Sequence, residues 1–200
     1  CKKIINNINK FKLKSDNKKI WKSADKADLR IFRCKKIDEK IKKFFKDRKL
    51  KNYGENFMNM TLKNAFTMAG ILKFKSKNLG SGGGWHKDSI NPCYKTMVYL
   101  TDVNKIGNGA LQIINKSNNI KSIINNYFYL RKYNLLNTRF NKKRIDELVK
   151  YKEYKINTIK ARAGTVILFD CSNLHRGAPI TIKKKRYALT NYYFPIKDVD

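Results

Sequence analysis

Apolar and polar residues alternate along most of the chain in short runs, and turns rich in glycine and asparagine separate these runs. Alternation with a period of two is typical of strands that bury one face. The predicted strands lie at 29–34, 61–77, 95–103, 110–114, 154–161, 164–170 and 186–194. So many short strands predict an antiparallel double sheet.

Two segments have helical patterns instead. Between 37 and 50, Ile37, Ile41, Phe44 and Phe45 fall at helical spacing. From about 118 to 153 the sequence is helical in pattern and strongly charged, which predicts an insert on the sheet scaffold. The fold class is therefore expected to be mainly β with flanking helices.

The length of 200 residues and the apolar fraction of 42% suit one domain with a hydrophobic core. Residues 1–24 are polar and low in complexity, and they begin at Cys1. We predict a loosely held arm there, or the remainder of a longer N-terminal region. The single domain is then expected at 25–200, with the helical insert inside it.

The formal net charge of +31 has two explanations. It would suit a nucleic acid or an anionic surface. It also follows from a bias towards A/T-rich codons, because Lys, Asn and Ile supply 82 of the 200 residues and the lysines are scattered along the chain. We favour the second explanation and expect no specific nucleic-acid partner.

Three further features bear on location. No run of about 18 apolar residues is present, so no membrane span is predicted. No signal-peptide pattern opens the sequence. The four cysteines match neither a zinc motif nor a disulfide framework, and reduced thiols are typical of cytoplasmic proteins. We therefore expect a cytoplasmic protein.

The candidate chemistry centres on the only two histidines. His86 and Asp88 are two residues apart, so a strand presents both side chains on one face. With His175 from a neighbouring strand they would form a facial triad, which suits nonheme iron(II) and leaves positions open for a cosubstrate and oxygen. Arg186 follows His175 by 11 residues, and its guanidinium is suited to a bidentate grip on a carboxylate. A purely structural role for either histidine remains the alternative.

Four segments resemble the phytanoyl-CoA dioxygenase-like family. They are SGGGWHKDS at 81–89, MVYLTDVNKIGNGALQIINKSN at 97–118, AGTVILFDCSNLHRG at 163–177 and KRYALTNYYF at 185–194. The resemblance covers roughly residues 25–194. It implies a double-stranded β-helix, the jelly-roll or cupin-like fold, with Fe(II) as the metal and 2-oxoglutarate and O2 as cosubstrates.

The resemblance also implies residue roles. His86, Asp88 and His175 correspond to the iron ligands, and Arg186 to the arginine that binds the distal carboxylate of 2-oxoglutarate. Cosubstrate contacts are further expected from three residues whose side chains share strand faces with the site: Thr190, Met97 and Tyr99. Gly177 departs from the family pattern, which often has a small hydroxyl residue two positions after the distal histidine.

The implied activity is hydroxylation of a small molecule, with decarboxylation of 2-oxoglutarate to succinate. Related halogenases replace the carboxylate ligand with a small residue, so Asp88 favours hydroxylation. A flexible loop is expected at 80–84, and Lys77 and Lys87 beside it suggest an anionic substrate. Three competing hypotheses are a nucleic-acid-binding protein, an inactive family member and a cupin-type protein with another metal.

Overall fold

The computed structural model describes residues 1–14, 20–119, 138–151 and 154–196. Within these residues eleven strands form two sheets in which every pairing is antiparallel. The strands are β1 (Ile20–Lys22), β2 (Asp28–Ile31), β3 (Leu62–Lys73), β4 (Trp85–His86), β5 (Tyr94–Tyr99), β6 (Leu111–Ile114), β7 (Arg139–Phe140), β8 (Ile156–Ile159), β9 (Val166–Asp170), β10 (Leu174–Gly177) and β11 (Lys185–Pro195). The larger sheet has the order β1-β2-β3-β11-β5-β9, and the smaller one β7-β4-β10-β6-β8.

The two sheets pack face to face around a shared apolar core. That core joins Tyr99 and Ala188 of the larger sheet to Leu111 and Ile113 of the smaller one. Alternation along the strands explains the arrangement, because successive side chains point to opposite faces. Two packed antiparallel sheets of this order are a double-stranded β-helix, and the prediction of that fold is confirmed.

Helices cover the outer faces of both sheets. They are α1 (Lys2–Lys14), α2 (Glu39–Phe45), α3 (Arg48–Met58) and α4 (Lys142–Tyr151). On the larger sheet, α1 and α2 bury apolar side chains against a face that includes Leu29, Ile31, Ala69, Ile71, Val98, Tyr187 and Leu189. On the smaller sheet, α4 buries Ile145 and Leu148 against Trp85 and Leu174. None of the described helices is long and apolar enough to cross a membrane.

The loosely held arm predicted at 1–24 needs correction. Residues 2–14 form α1, whose Ile4 and Ile8 lie in the core beneath the larger sheet, and Ile8 has no exposed surface. Residues 20–22 form β1, which pairs with β2. The isoleucines are one helical turn apart, so one stripe of an otherwise polar helix reaches the core.

The single helix expected at 37–50 is two helices. Asp38 accepts a hydrogen bond from the Lys40 backbone and caps α2, whereas Asp47 accepts one from the Leu50 backbone and caps α3. An N-cap carboxylate satisfies backbone donors that a helix leaves unpaired at its start, so Asp47 begins a new helix. The insert predicted at about 118–153 lies largely outside the described residues, and α4 is its described helical part.

Candidate metal centre

The two histidines face each other across neighbouring strands. His86 ends β4 and His175 lies in β10, where the two residues are directly paired in the antiparallel register. Their ring centroids are 4.4 Å apart. Asp88 follows His86 by two residues and its backbone N–H donates to the Cys171 carbonyl, which ties this short segment to the end of β9. The predicted triad is therefore assembled by strand pairing.

The possible metal-ligating atoms of the three side chains lie close together. Nε2 of His86 lies 3.5 Å from Oδ1 of Asp88, and Nε2 of His175 lies 3.5 Å from Oδ2. One ligand atom from each residue falls within 4.8 Å of the other two. Two imidazoles and one carboxylate on one side of a cavity are the donor set that nonheme iron(II) takes, with positions left for further ligands.

Backbone carbonyls fix the orientation of both imidazoles. Nδ1 of His86 lies 2.9 Å from the Gly84 carbonyl, and Nδ1 of His175 lies 2.9 Å from the Asn173 carbonyl. A carbonyl can only accept, so each neutral ring carries its proton on Nδ1 and leaves the Nε2 lone pair for a metal. Both rings are thus held in the tautomer that ligation requires.

The electrostatics of the centre favour the ligating protonation states. Burial and the neighbouring His175 lower the pKa of His86 to about 4, so this imidazole is neutral at neutral pH. Burial alone would raise the pKa of Asp88. The contact with His175 and the charge of Lys95 outweigh it and hold the pKa of Asp88 below its usual range. His86 therefore offers a neutral nitrogen and Asp88 a carboxylate.

The glycine-rich loop at 80–84 packs directly on His86. Gly82 has a φ of +88°, and a Cβ there would lie 2.0 Å from Cε1 of His86. Its backbone N–H donates to the buried carboxylate of Asp28, and its carbonyl accepts from Arg139. The sequence predicted a flexible loop. Instead, hydrogen bonds of the Gly82 N–H and carbonyl hold the loop in place, and the loop forms one wall of the site.

Arg186 lines the same cavity as the triad. It is 4% exposed, and its Nη1 donates to the Gly109 carbonyl over 2.6 Å. Its Nε is buried and has no hydrogen-bond partner among the described residues. A buried donor without a partner is costly, so this guanidinium edge is suited to an acceptor that enters the cavity. A carboxylate of 2-oxoglutarate fits that requirement.

The comparisons with known proteins agree with this geometry. Residues 1–188 match the family described as phytanoyl-CoA dioxygenase (PhyH). The chain belongs to this family. Family membership and the triad make it a dioxygenase of the kind that depends on iron and 2-oxoglutarate. Comparison by sequence with curated proteins gives no match.

Solved structures share the fold at low sequence identity. The epimerase SnoN of nogalamycin biosynthesis superposes with a TM-score of 0.70 at 12% identity, over 96% of this chain and 72% of SnoN. EctD from S. alaskensis, with 2-oxoglutarate and 5-hydroxyectoine, gives 0.68 at 18% identity, over 97% and 66%. HygX from Streptomyces hygroscopicus, with nickel and 2-oxoglutarate, gives 0.62 at 14% identity, over 96% and 78%.

The departure from the family pattern at Gly177 has a structural reason. A Cβ at Gly177 would lie 2.7 Å from the Cβ of Ser81 and 3.0 Å from Nη1 of Arg186. The Gly177 N–H donates to the Ser81 carbonyl, so the glycine-rich loop occupies the space that a larger residue would need. Ser81 lines the cavity, and its hydroxyl donates to the Asp28 carboxylate.

The other predicted cosubstrate contacts separate into two groups. Met97 and Thr190 line the cavity of the triad and are register partners on β5 and β11. Tyr99 does not line it. Its hydroxyl accepts from the Leu111 N–H and donates to the Ile159 carbonyl, and its ring lies in the core between the sheets.

The sequence analysis missed two cationic side chains in the cavity. Lys95 ion-pairs with the Asp88 carboxylate, and Arg30 lines the cavity while it pairs with Asp28. The signal for Lys95 was present, because it precedes Met97 by two residues on β5 and so shares its face. In a chain with this much lysine, one further lysine in a strand did not stand out.

The lysines singled out beside the loop point elsewhere. Lys87 is on the opposite strand face from its neighbours His86 and Asp88, and its Nζ donates to the Ser117 carbonyl over 2.7 Å. Lys77 is exposed, and neither lysine lines the cavity of the triad. An argument for an anionic substrate therefore cannot rest on them.

Proposed function

We propose that this chain hydroxylates a small molecule and couples that reaction to the decarboxylation of 2-oxoglutarate to succinate. One observation carries the proposal: the His86–Asp88–His175 triad lines the same cavity as Arg186, whose buried Nε has no hydrogen-bond partner among the described residues. A metal held by the triad and a carboxylate held by Arg186 would lie within reach of one bifunctional cosubstrate.

The chain's own contribution is positioning. His86, Asp88 and His175 would hold the metal through Nε2, one carboxylate oxygen and Nε2, in orientations that the Gly84 and Asn173 carbonyls already fix. When bound, iron(II) with 2-oxoglutarate and O2 supplies an oxidant strong enough to hydroxylate a C–H bond.

Arg186 would orient the cosubstrate. Its Nη1 is fixed on the Gly109 carbonyl, so the guanidinium plane is set before any ligand arrives. Its free Nε then donates to the distal carboxylate, in a site where burial strengthens a charge-assisted hydrogen bond. Thr190 lines the same cavity and offers a hydroxyl on the same strand face.

Hydroxylation is favoured over halogenation because Asp88 keeps a carboxylate in the third ligand position. Its side chain is 27% exposed, more than that of His86 or His175, so the open side of the centre adjoins Asp88. Substrate and O2 would approach from this side, while the glycine-rich loop covers His86.

Isotope labelling tests the reaction type. The protein is incubated with iron(II), 2-oxoglutarate, ¹⁸O2 and a panel of small carboxylic acids and amines. Hydroxylation predicts one ¹⁸O atom in the product and one in succinate, in equal amounts. A product that gains no oxygen while succinate forms, as in an epimerisation or ring closure, would overturn hydroxylation and leave the oxygenase class intact.

The role of Arg186 is tested by Arg186→Lys. A lysine cannot make the planar grip, so we expect the 2-oxoglutarate affinity to fall about 10- to 100-fold. The matched control is Arg176→Lys, because Arg176 is a strand arginine that does not line the cavity of the triad: it donates to Gln112 and lies over Trp85. Calorimetric titration with 2-oxoglutarate gives both values, and equal affinities in the two variants would remove Arg186 from the site.

A further inference from the structure

A second cavity adjoins the metal centre on the open side of Asp88. It lies between the segment after β4 and the end of β11, and it shares Asp88, Lys95 and Tyr192 with the cavity of the triad. Apart from these shared residues its walls are mainly apolar, with Phe66 and Phe194 among them. A ligand in this cavity would reach the metal centre past Lys95.

Lys95 is a buried cation at the boundary between the two cavities. It is 5% exposed, its Nζ donates to the Asp88 carboxylate, and it lies 4.0 Å from the ring centroid of Tyr192. Asp88 is the one hydrogen-bond acceptor that the described residues give this ammonium, which has three N–H donors. Donors are therefore left for a ligand.

The charges of the loaded site leave one cation without a counter-ion. Iron(II) and the 2-oxoglutarate dianion cancel, the Arg30–Asp28 pair is neutral, and Asp88 cancels only one of Lys95 and Arg186. Burying an uncompensated charge is unfavourable, so a monoanionic substrate would complete the balance.

The shape of the second cavity indicates what the anion is attached to. Phe66 and Tyr192 stack with ring centroids 4.5 Å apart and an interplanar angle of 18°. The Tyr192 ring therefore has both Phe66 and the Lys95 ammonium packed against it, and the two rings line the second cavity beside that ammonium. Apolar groups gain from burial against such a surface, whereas a highly polar body such as a sugar would not.

We propose that the substrate is an apolar monocarboxylate whose carboxylate binds Lys95 and whose body lies along Phe66 and Tyr192. This inference rests on the proposed function and specifies its substrate class. In this proposal Lys95 selects for an anionic substrate, which Lys77 and Lys87 cannot do because neither lines the cavity of the triad.

Binding of matched acid and amide pairs tests the inference. The protein is loaded anaerobically with iron(II) and 2-oxoglutarate, and 3-phenylpropionate, octanoate and the two corresponding amides are titrated by calorimetry. The amides have nearly the same shape without the charge. We expect at least one acid to bind about tenfold or more tightly than its amide. Lys95→Met should abolish that preference, and Lys63→Met, which removes an exposed lysine of β3, should keep it.

Two checks separate the possible failures. The visible absorption of the iron–2-oxoglutarate complex is recorded in each variant, and Lys95→Gln replaces Lys95→Met if the latter does not fold. A normal complex with no acid preference, with no acid binding, or with a preference that survives loss of Lys95 overturns the substrate assignment alone. Absence of the complex in the wild type overturns the proposed function itself.

Discussion

Replacing Gly82 with alanine should damage the metal centre without touching a ligand. A Cβ at this position would lie 2.0 Å from Cε1 of His86 and 2.8 Å from each ring nitrogen. Carbon atoms in contact are ordinarily about 3.5–4.0 Å apart, so the ring or the loop must move by roughly 1.5 Å. The loop is anchored on Asp28 and Arg139, so we expect the imidazole to move.

The magnitude follows from the tolerance of a metal site. Metal–ligand distances are held within roughly 0.2 Å, so a displacement of this size removes His86 from good ligand geometry. Loss of the contacts that orient a ligand typically costs 10- to 100-fold in metal affinity, or about 1.4–2.7 kcal/mol. Backbone strain at positive φ adds about 1–2 kcal/mol to the loss of folding stability.

Gly164→Ala is the matched control, because Gly164 has a φ of +96° but a Cβ there meets nothing within 4 Å. Both variants should lose about 1–2 kcal/mol of folding stability to backbone strain in urea denaturation, and Gly82→Ala should lose more because its Cβ also clashes with His86. Only Gly82→Ala should lose affinity for Mn²⁺, measured by calorimetry as a redox-stable substitute for iron(II). Wild-type Mn²⁺ affinity in Gly82→Ala would refute the idea that the glycine-rich loop positions His86.

Three further predictions concern the scaffold. Gly54→Ala should destabilise the fold by about 1–3 kcal/mol in urea denaturation, because the added Cβ would lie 2.3 Å from Cδ1 of Tyr94. This clash outweighs the preference of helices for alanine over glycine, which is about 1 kcal/mol. A more stable variant would contradict this prediction. Tyr99→Phe should cost about 1–3 kcal/mol by leaving the Leu111 N–H without its acceptor, and an unchanged unfolding midpoint would refute that role. Burial lowers the pKa of Lys87 to about 8 from an ordinary 10.5. Between these two pH values the unfolded chain binds more protons than the folded chain. The free energy of unfolding of the wild type, relative to that of Lys87→Met, should therefore rise with pH across this window. A flat difference in unfolding free energy from pH 8 to 10.5 would contradict the shift.

The core strands and the metal triad could be predicted from the sequence because both depend on local patterns. Alternation located the long strands, and the two-residue spacing of His86 and Asp88 placed them on one face. The long-range pairing of His175 could not be read from spacing. It was proposed because His175 is the other histidine of the chain, the family resemblance supported it, and the structure puts His175 directly opposite His86. β4 and β7 have two residues each, too few to show a period.

The missed features depend on tertiary contacts in a lysine-rich chain. Ile4 and Ile8 form a stripe that is evident only once the larger sheet is present to receive it. Lys95 has the local sequence of an ordinary strand lysine, and its burial follows from its position between Asp88 and Tyr192. The chain has many solvent-exposed lysines, so net charge alone could not distinguish the buried Lys95 from them.

The most direct test of the metal centre is visible absorption after anaerobic addition of iron(II) and 2-oxoglutarate. A metal-to-ligand charge-transfer band should appear in the wild type, because iron held by the triad keeps positions for a chelating keto acid. It should be absent in His175→Ala and weaker in Arg186→Met, and it should be retained in Arg176→Met. Wild-type protein that binds iron but shows no band at saturating 2-oxoglutarate, or His175→Ala that keeps the band, would contradict the assignment of this site.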